Sequence, residues 1–313
     1  MSLILAEKIF GLFLIIAMGF ILVRSGLMRA EQSRGLSIAC LYVISPCMIV
    51  TAFQVDATSE VKAGFLLAMG AGLAVQMLYT FLSWLLGRSP LKLSAVEKAS
   101  VTYSNAGNLV IPLVMMTFGQ DMVIYTTAYM VFQTMFMWSH GKSLLQGKTG
   151  IDLRQIFLSV QMIGVYIGLF LFMTGLRLPG PVYTAVQSVG NMIGPASMLV
   201  TGMIMGGMDF KRLFSFKRLP IPVCLRLLVF PFFAVLILKF TPLATLVSNG
   251  SDILMITLLA AAAPSASNIN QMAQIFHSNA EYASAINVVT ILLCIITIPL
   301  MVSFYEAPIQ LPF

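Results

Sequence analysis

Ten apolar runs follow one another along this chain with almost no charge inside them. They fall at 8–23, 36–53, 63–86, 97–118, 121–141, 155–175, 181–207, 219–240, 251–276 and 281–304. A helix needs roughly 20 apolar residues to cross about 30 Å of hydrocarbon. Lipid offers no partner for main-chain N–H and C=O groups, so each run reads as a helix that bonds its own backbone. Only 9% of the 313 residues are charged and the mean hydropathy is +0.94, against about 25% charged in a soluble domain. The expectation is an all-α membrane protein of ten transmembrane helices. The start, MSLILAEKIFGLFLIIAMGF, has no basic lead and no small-residue cleavage site, so it reads as the first span and not as a removed signal peptide. Cys40, Cys47, Cys224 and Cys294 all fall inside apolar runs and read as small hydrophobes.

The net charge of +7 is unevenly spread. Thirteen Lys and Arg residues lie in the odd-numbered loops, including Arg24, Arg29, Arg34, Arg88, Lys148, Arg154 and Arg212, and three (Lys62, Arg177, Lys239) lie in the even ones. By the positive-inside bias the odd loops are cytoplasmic and both termini extracytoplasmic, in the plasma (inner) membrane. The excess positive charge then faces anionic lipid, and nucleic acid is not an expected partner.

The two halves resemble each other. Pro46 and Pro195 are 149 residues apart, Asp56 and Asp209 are 153 apart, and Pro112 and Pro264 are 152 apart. The expected division is 1–150 and 151–313, five spans each. An odd number of spans inverts the second copy relative to the first, giving a 5+5 inverted repeat of the kind that builds secondary transporters. Spans four and nine carry the polar residues. TYSNAGNLVIPL (102–113) holds Ser104, Asn105, Gly107, Asn108 and Pro112, and APSASNINQ (263–271) holds Pro264, Ser265, Asn268, Asn270 and Gln271. Proline removes a donor and clashes with the carbonyl four residues back, and glycine eases a break. The expectation is two broken, crossing helices with Gly107, Pro112 and Pro264 at the breaks. Broken backbone at membrane depth persists only where protein or water covers it, and freed helix N-termini carry about +0.5 of a charge each, which attracts an anion.

No Asp or Glu lies beside either polar segment, which argues against cation/proton exchange. Arg226 is the one basic residue deep in a span. It reads either as a counter-charge for an anion or as a donor to loose carbonyls near Pro222 or Pro231. His140 and His277 lie near span ends. No His pair, Asp dyad or nucleophile–base spacing appears, so neither an enzyme, a metal site nor a cofactor is expected.

Several fragments carry a family likeness: Gly19 to Arg24, Pro46, Ser104-Asn105 with Ile111-Pro112-Leu113 and Phe118-Gly119, Arg226 with Pro231, and Ala263-Pro264-Ser265. In this order the chain resembles the auxin efflux carrier family of permeases, which includes plant auxin exporters and bacterial carriers of malate, malonate and similar acids. The resemblance implies a scaffold, often a dimer interface, at about 1–55 plus 155–210. It also implies a moving transport unit at about 62–145 plus 216–305, and Asn105 as the asparagine that meets a substrate carboxylate.

The reading is therefore a secondary transporter of an organic anion, a mono- or dicarboxylate, working by elevator-type alternating access. Its substrate contacts are expected from Asn105, Asn108, Ser265, Asn268, Asn270, Gln271 and Arg226, with H⁺ or Na⁺ as coupling ion and a homodimer as the assembly. Two alternatives stay open: a sodium-coupled symporter of the bile-acid type, and a membrane sensor that binds without translocating.

Overall fold

The computed structural model describes residues 2–147, 157–209, 211 and 215–307. Lys148, Arg154 and Arg212 of the charge count, and the expected boundary at 150/151, lie outside the described residues.

Helix dominates these residues, and each apolar run that they cover forms helix. In chain order these are α1 (Ser2–Arg24), α2 (Ala30–Ala52), α3 (Ser59–Arg88), α4 (Ala95–Thr102), α5 (Ala106–Thr117) and α6 (123–146). There follow α7 (Val160–Thr174), α8 (Gly180–Gly206), α9 (Pro220–Phe240), α10 (Gly250–Ala262), α11 (Ser267–Ile275) and α12 (Ala280–Glu306). Five of them, α2, α3, α8, α9 and α12, are long and apolar enough to cross a membrane by length and composition, and α5, α7 and α10 are shorter apolar helices. Together they make a multi-pass integral membrane protein.

The fourth and ninth runs are each split, α4 from α5 and α10 from α11. A capping box starts α4: Ser94 Oγ accepts from Glu97 N, and Glu97 Oε2 accepts from Ser94 N at 2.7 Å. Tyr103 then turns extended (φ −105, ψ 130). Ser104 and Asn105 follow, residue types whose side chains compete with the helix for its own main-chain bonds. In the ninth run Pro264 lacks the N–H that would continue α10, and the residue before it, Ala263, is pushed to φ −59, ψ 154.

Pro112 is not at a break. The break is centred on Ser104, eight residues earlier, and Pro112 lies inside helix behind a π turn at Ala106–Val110. The same pattern recurs at Pro46, behind the π turn Cys40–Ile44, and at Pro231, behind Leu225–Val229. One widened turn makes room for the ring and for the carbonyl it displaces, so these prolines deform their helices without ending them. The two breaks, at Ser104 and Ser265, are therefore 161 residues apart, and the 152-residue proline spacing does not relate them.

Packing falls into neighbourhoods. The longest helix contact is between α1 and α8, while α7 and the first part of α8 cover the second half of α2. Elsewhere α3 packs on α6 and α10, α9 on α10, and α11 on α12. The α1–α8 pair has backbones in contact: a Cβ on Gly202 would stand 2.0 Å from the Ile16 carbonyl oxygen, and one on Gly19 would stand 2.2 Å from that of Leu199. Gly202 and Gly206 are spaced as in the small-xxx-small packing of membrane helices.

Candidate functional site

Where the two broken helices meet they form an antiparallel bridge between Ser104 and Ser265. Asn105 N donates to Pro264 O at 2.8 Å, and Ala266 N donates to Tyr103 O at 3.0 Å. The remaining main-chain groups of the two serines are held by side chains. Gln133 of α6 grips Ser104: its Oε1 accepts from Ser104 N at 3.1 Å and from Ser104 Oγ, and its Nε2 donates to Ser104 O at 2.9 Å. From α12, Thr290 Oγ1 accepts from Ser265 N at 3.1 Å and Asn287 Nδ2 donates to Ser265 O. Buried main-chain groups cannot go unpaired, and here the sixth and twelfth helices supply what the helical ladder has lost.

Arg226 completes the pairing on the other side. It is fully buried. Its Nε donates to Ala263 O at 2.8 Å, its Nη1 to Val101 O at 3.0 Å and its Nη2 to Ala261 O at 2.7 Å. These carbonyls belong to the C-terminal ends of α4 and α10, not to the surroundings of Pro222 or Pro231. A planar fork with five N–H donors suits such a cluster.

On the opposite side of the bridge lies a cavity of about 880 Å³. Of the candidate substrate contacts, Asn105, Asn108, Asn268, Asn270 and Gln271 all line it, with Gly107 among them. Arg226 and Ser265 do not: Arg226 is turned to the carbonyls behind the bridge, and the Ser265 hydroxyl is buried with no hydrogen-bond partner. Pro112 and Pro264 are also outside the lining. Asn105 Nδ2 reaches Ser267 Oγ at 3.4 Å, linking the two segments through side chains as well. Pro112 has no N–H for the carbonyl of Asn108, and Ser197 Oγ from α8 donates to that oxygen at 3.0 Å.

The cavity also draws on residues the sequence did not single out: Gln133, Thr134 and Trp138 of α6, and Asn287 of α12. The signal was present as lone amides inside apolar runs, MVFQTMF and AINVVTI. At one end the cavity reaches Glu31 and Arg34, both exposed. Gly107 and Asn108 in the first turn of α5 and Ser267 and Asn268 in that of α11 are in the lining, so two helix N-termini border the cavity. Amide donors and helix N-termini together can hold an anion without a basic side chain. Among the described residues no group of three His, Cys, Asp or Glu is placed to bind a metal ion.

A family model described as membrane transport protein, of the auxin efflux carrier type, matches residues 4–150 and 148–302. A comparison with curated proteins gave no match.

Proposed function

The chain belongs to the membrane transport protein family of auxin efflux carrier type, and from that premise we propose that it is a secondary carrier of an organic anion. One observation carries the reading: five amide side chains and two helix N-termini, drawn from both broken helices, line a single cavity. Each N-terminus contributes about +0.5 of a charge. Two of them match a monocarboxylate, and the amides of Asn105, Asn108, Asn268, Asn270 and Gln271 supply directional donors and acceptors. Asn105 is the primary carboxylate contact. It is the only one of the five held nearly out of solvent, at 5% exposure, where a hydrogen bond to a charged group counts for most.

Ten spans in a 5+5 inverted arrangement agree with the contacts between loops. Arg218 pairs with Glu97, and Arg24 bonds Met208 O, which joins odd loops to odd loops. Asp56 pairs with Arg177, joining even to even. Such pairing is what alternating crossings require. With the odd loops cytoplasmic and both termini outside, the Glu31–Arg34 end of the cavity opens inward in the inner membrane. The first, second, sixth and seventh spans form the scaffold and the homodimer contact. The remaining spans travel with the bridge as one body, giving elevator-type access.

The test is a thermal-shift screen of carboxylates on detergent-purified protein, followed by flux of any hit in proteoliposomes. Asn105→Ala is expected to abolish flux while melting within a few degrees of wild type. Normal flux by that variant would remove the site, and a ligand that binds without flux would replace the carrier by a sensor.

A further inference from the structure

We infer that Arg226 is a built-in cation that stands in for a coupling ion at the crossing, so that transport proceeds with no sodium bound there. The inference rests on the carrier reading only for its transport consequence. Its structural half concerns the crossing alone.

Unwound carbonyls and half-helix C-terminal ends are where discontinuous-helix transporters ligate a cation. In this protein those ends are already occupied. Val101 O closes α4, and Ala261 O and Ala263 O close α10. Each C-terminus carries about −0.5 of a charge, so two sum to about −1, which one guanidinium neutralises. No carboxylate is among the partners of Arg226 in the described residues. The Tyr79 ring lies under the guanidinium, 5.5 Å from Cζ to the ring centroid, and its hydroxyl donates to Ala261 O at 3.3 Å. The oxygen-rich face of the crossing is thus filled, neutral and closed to solvent, and the anion site lies on the other face. A covalently attached charge cannot be released in either orientation of the carrier, so it supports the crossing without energising the cycle.

The consequence is a latent site. Taking away the guanidinium leaves three buried carbonyls and a phenol oxygen around a space once held by a positive charge, which is ligand chemistry for a hard monovalent cation. Arg226→Ala protein, purified in detergent, is expected to melt well below wild type in choline chloride, and to be raised by several degrees in sodium chloride or guanidinium chloride at low concentration. Wild type is expected to melt at one temperature in sodium, potassium and choline salts. Arg226→Met, which fills the space without charge, is expected to melt low and to gain nothing from sodium. Arg226→Lys keeps the charge without the fork and is expected to fall between.

If Arg226→Ala does not fold, the wild-type measurements decide. A sodium-dependent melt, or flux that changes severalfold with a sodium gradient, overturns the inference, and indifference to sodium in both supports it. Where Arg226→Ala folds but neither cation raises its melt, the inference also fails. The melting arm needs no substrate, so a failure to find any transported acid would count against the carrier and not against the filled cation site.

Discussion

The main-chain N–H of Asn105 donates to the carbonyl oxygen of Pro264 at 2.8 Å. A cavity-lining asparagine is thus fixed by the residue that breaks the other helix. The cavity-lining amides of Asn105 and Asn108 on one side and of Asn268, Asn270 and Gln271 on the other are set in register by a bridge two hydrogen bonds long. Any shift at the bridge is a shift of one half of the site against the other.

Gln133 holds that register. Its amide takes both the N–H and the C=O of Ser104, as a neighbouring peptide unit would in a strand. Gln133→Leu keeps the volume and removes both partners. Each buried group left unpaired costs about 1–3 kcal/mol, so the variant is expected to melt several degrees below wild type and to lose substrate affinity although Gln133→Leu removes no charge. As a carboxylate, Gln133→Glu restores an acceptor for the N–H but no donor for the carbonyl, and it adds an unpaired buried charge. Only as the neutral acid does it offer an O–H in place of the lost donor, so it is expected to recover at most part of the stability. A melt equal to wild type for Gln133→Leu would show that the bridge stands unaided.

The helices themselves are legible because run length and polarity are local properties: the runs containing Ser104-Asn105 and Pro264-Ser265 carry the mark of a break in their own residues. What the sequence could not supply was the partner of each freed group. Pro112 looks like a breaker, yet a π turn absorbs it and Ser197, from a helix almost ninety residues away, takes the orphaned carbonyl of Asn108. Arg226 reads two ways from its own segment, since nothing in LPIPVCLRLLVF indicates that Val101 and Ala263 end up beside it. Gln133 and Asn287 each stand alone in an apolar run, and a lone amide reads as helix–helix stitching. Their role depends on which backbone faces them.

Ser265 and Asn268, three residues apart, are expected to behave oppositely. The Ser265 hydroxyl is buried, without a partner and outside the cavity. Ser265→Ala removes an unsatisfied group and leaves both main-chain bonds in place, so transport and melting temperature are expected to hold or improve slightly. Asn268 lines the cavity, and Asn268→Ala is expected to raise KM by about 10- to 100-fold, the loss of one hydrogen bond to a charged ligand. Concentration-dependent uptake by the two variants settles both. A transport defect in Ser265→Ala with an unchanged melt would bring that hydroxyl into the site.

Loop sidedness can be read chemically. A single cysteine at Ala57, in the second loop, and another at Gly26, in the first, are introduced into a variant whose four native cysteines are replaced by serine or alanine. In intact cells a membrane-impermeant maleimide is expected to label position 57 and spare position 26, and to label both after permeabilisation. The reverse pattern would turn the molecule over and make the Glu31–Arg34 mouth of the cavity an outward one.

Glycine substitutions test the α1–α8 contact with one chemical change made at two places. In a helix interior Gly→Ala gains up to about 1 kcal/mol when nothing stands in the way. Gly11 on α1 has nothing within 4 Å of the added methyl, so Gly11→Ala is expected to match or exceed wild type in melting temperature. At Gly202 the methyl would stand 2.0 Å from the Ile16 carbonyl oxygen and 2.9 Å from Phe20 N. Both are backbone atoms, which cannot rotate aside as a side-chain end would, so the helices must part along the contact. Overpacking of this kind costs about 1–3 kcal/mol or more. The lost approach also removes the close packing that holds membrane helices together in place of the hydrophobic effect. Gly202→Ala is therefore expected to lower the melting temperature, and Gly202→Leu to prevent recovery of folded protein, while Gly11→Ala purifies normally. Equal melts for Gly11→Ala and Gly202→Ala would mean that α1 and α8 are not in backbone contact.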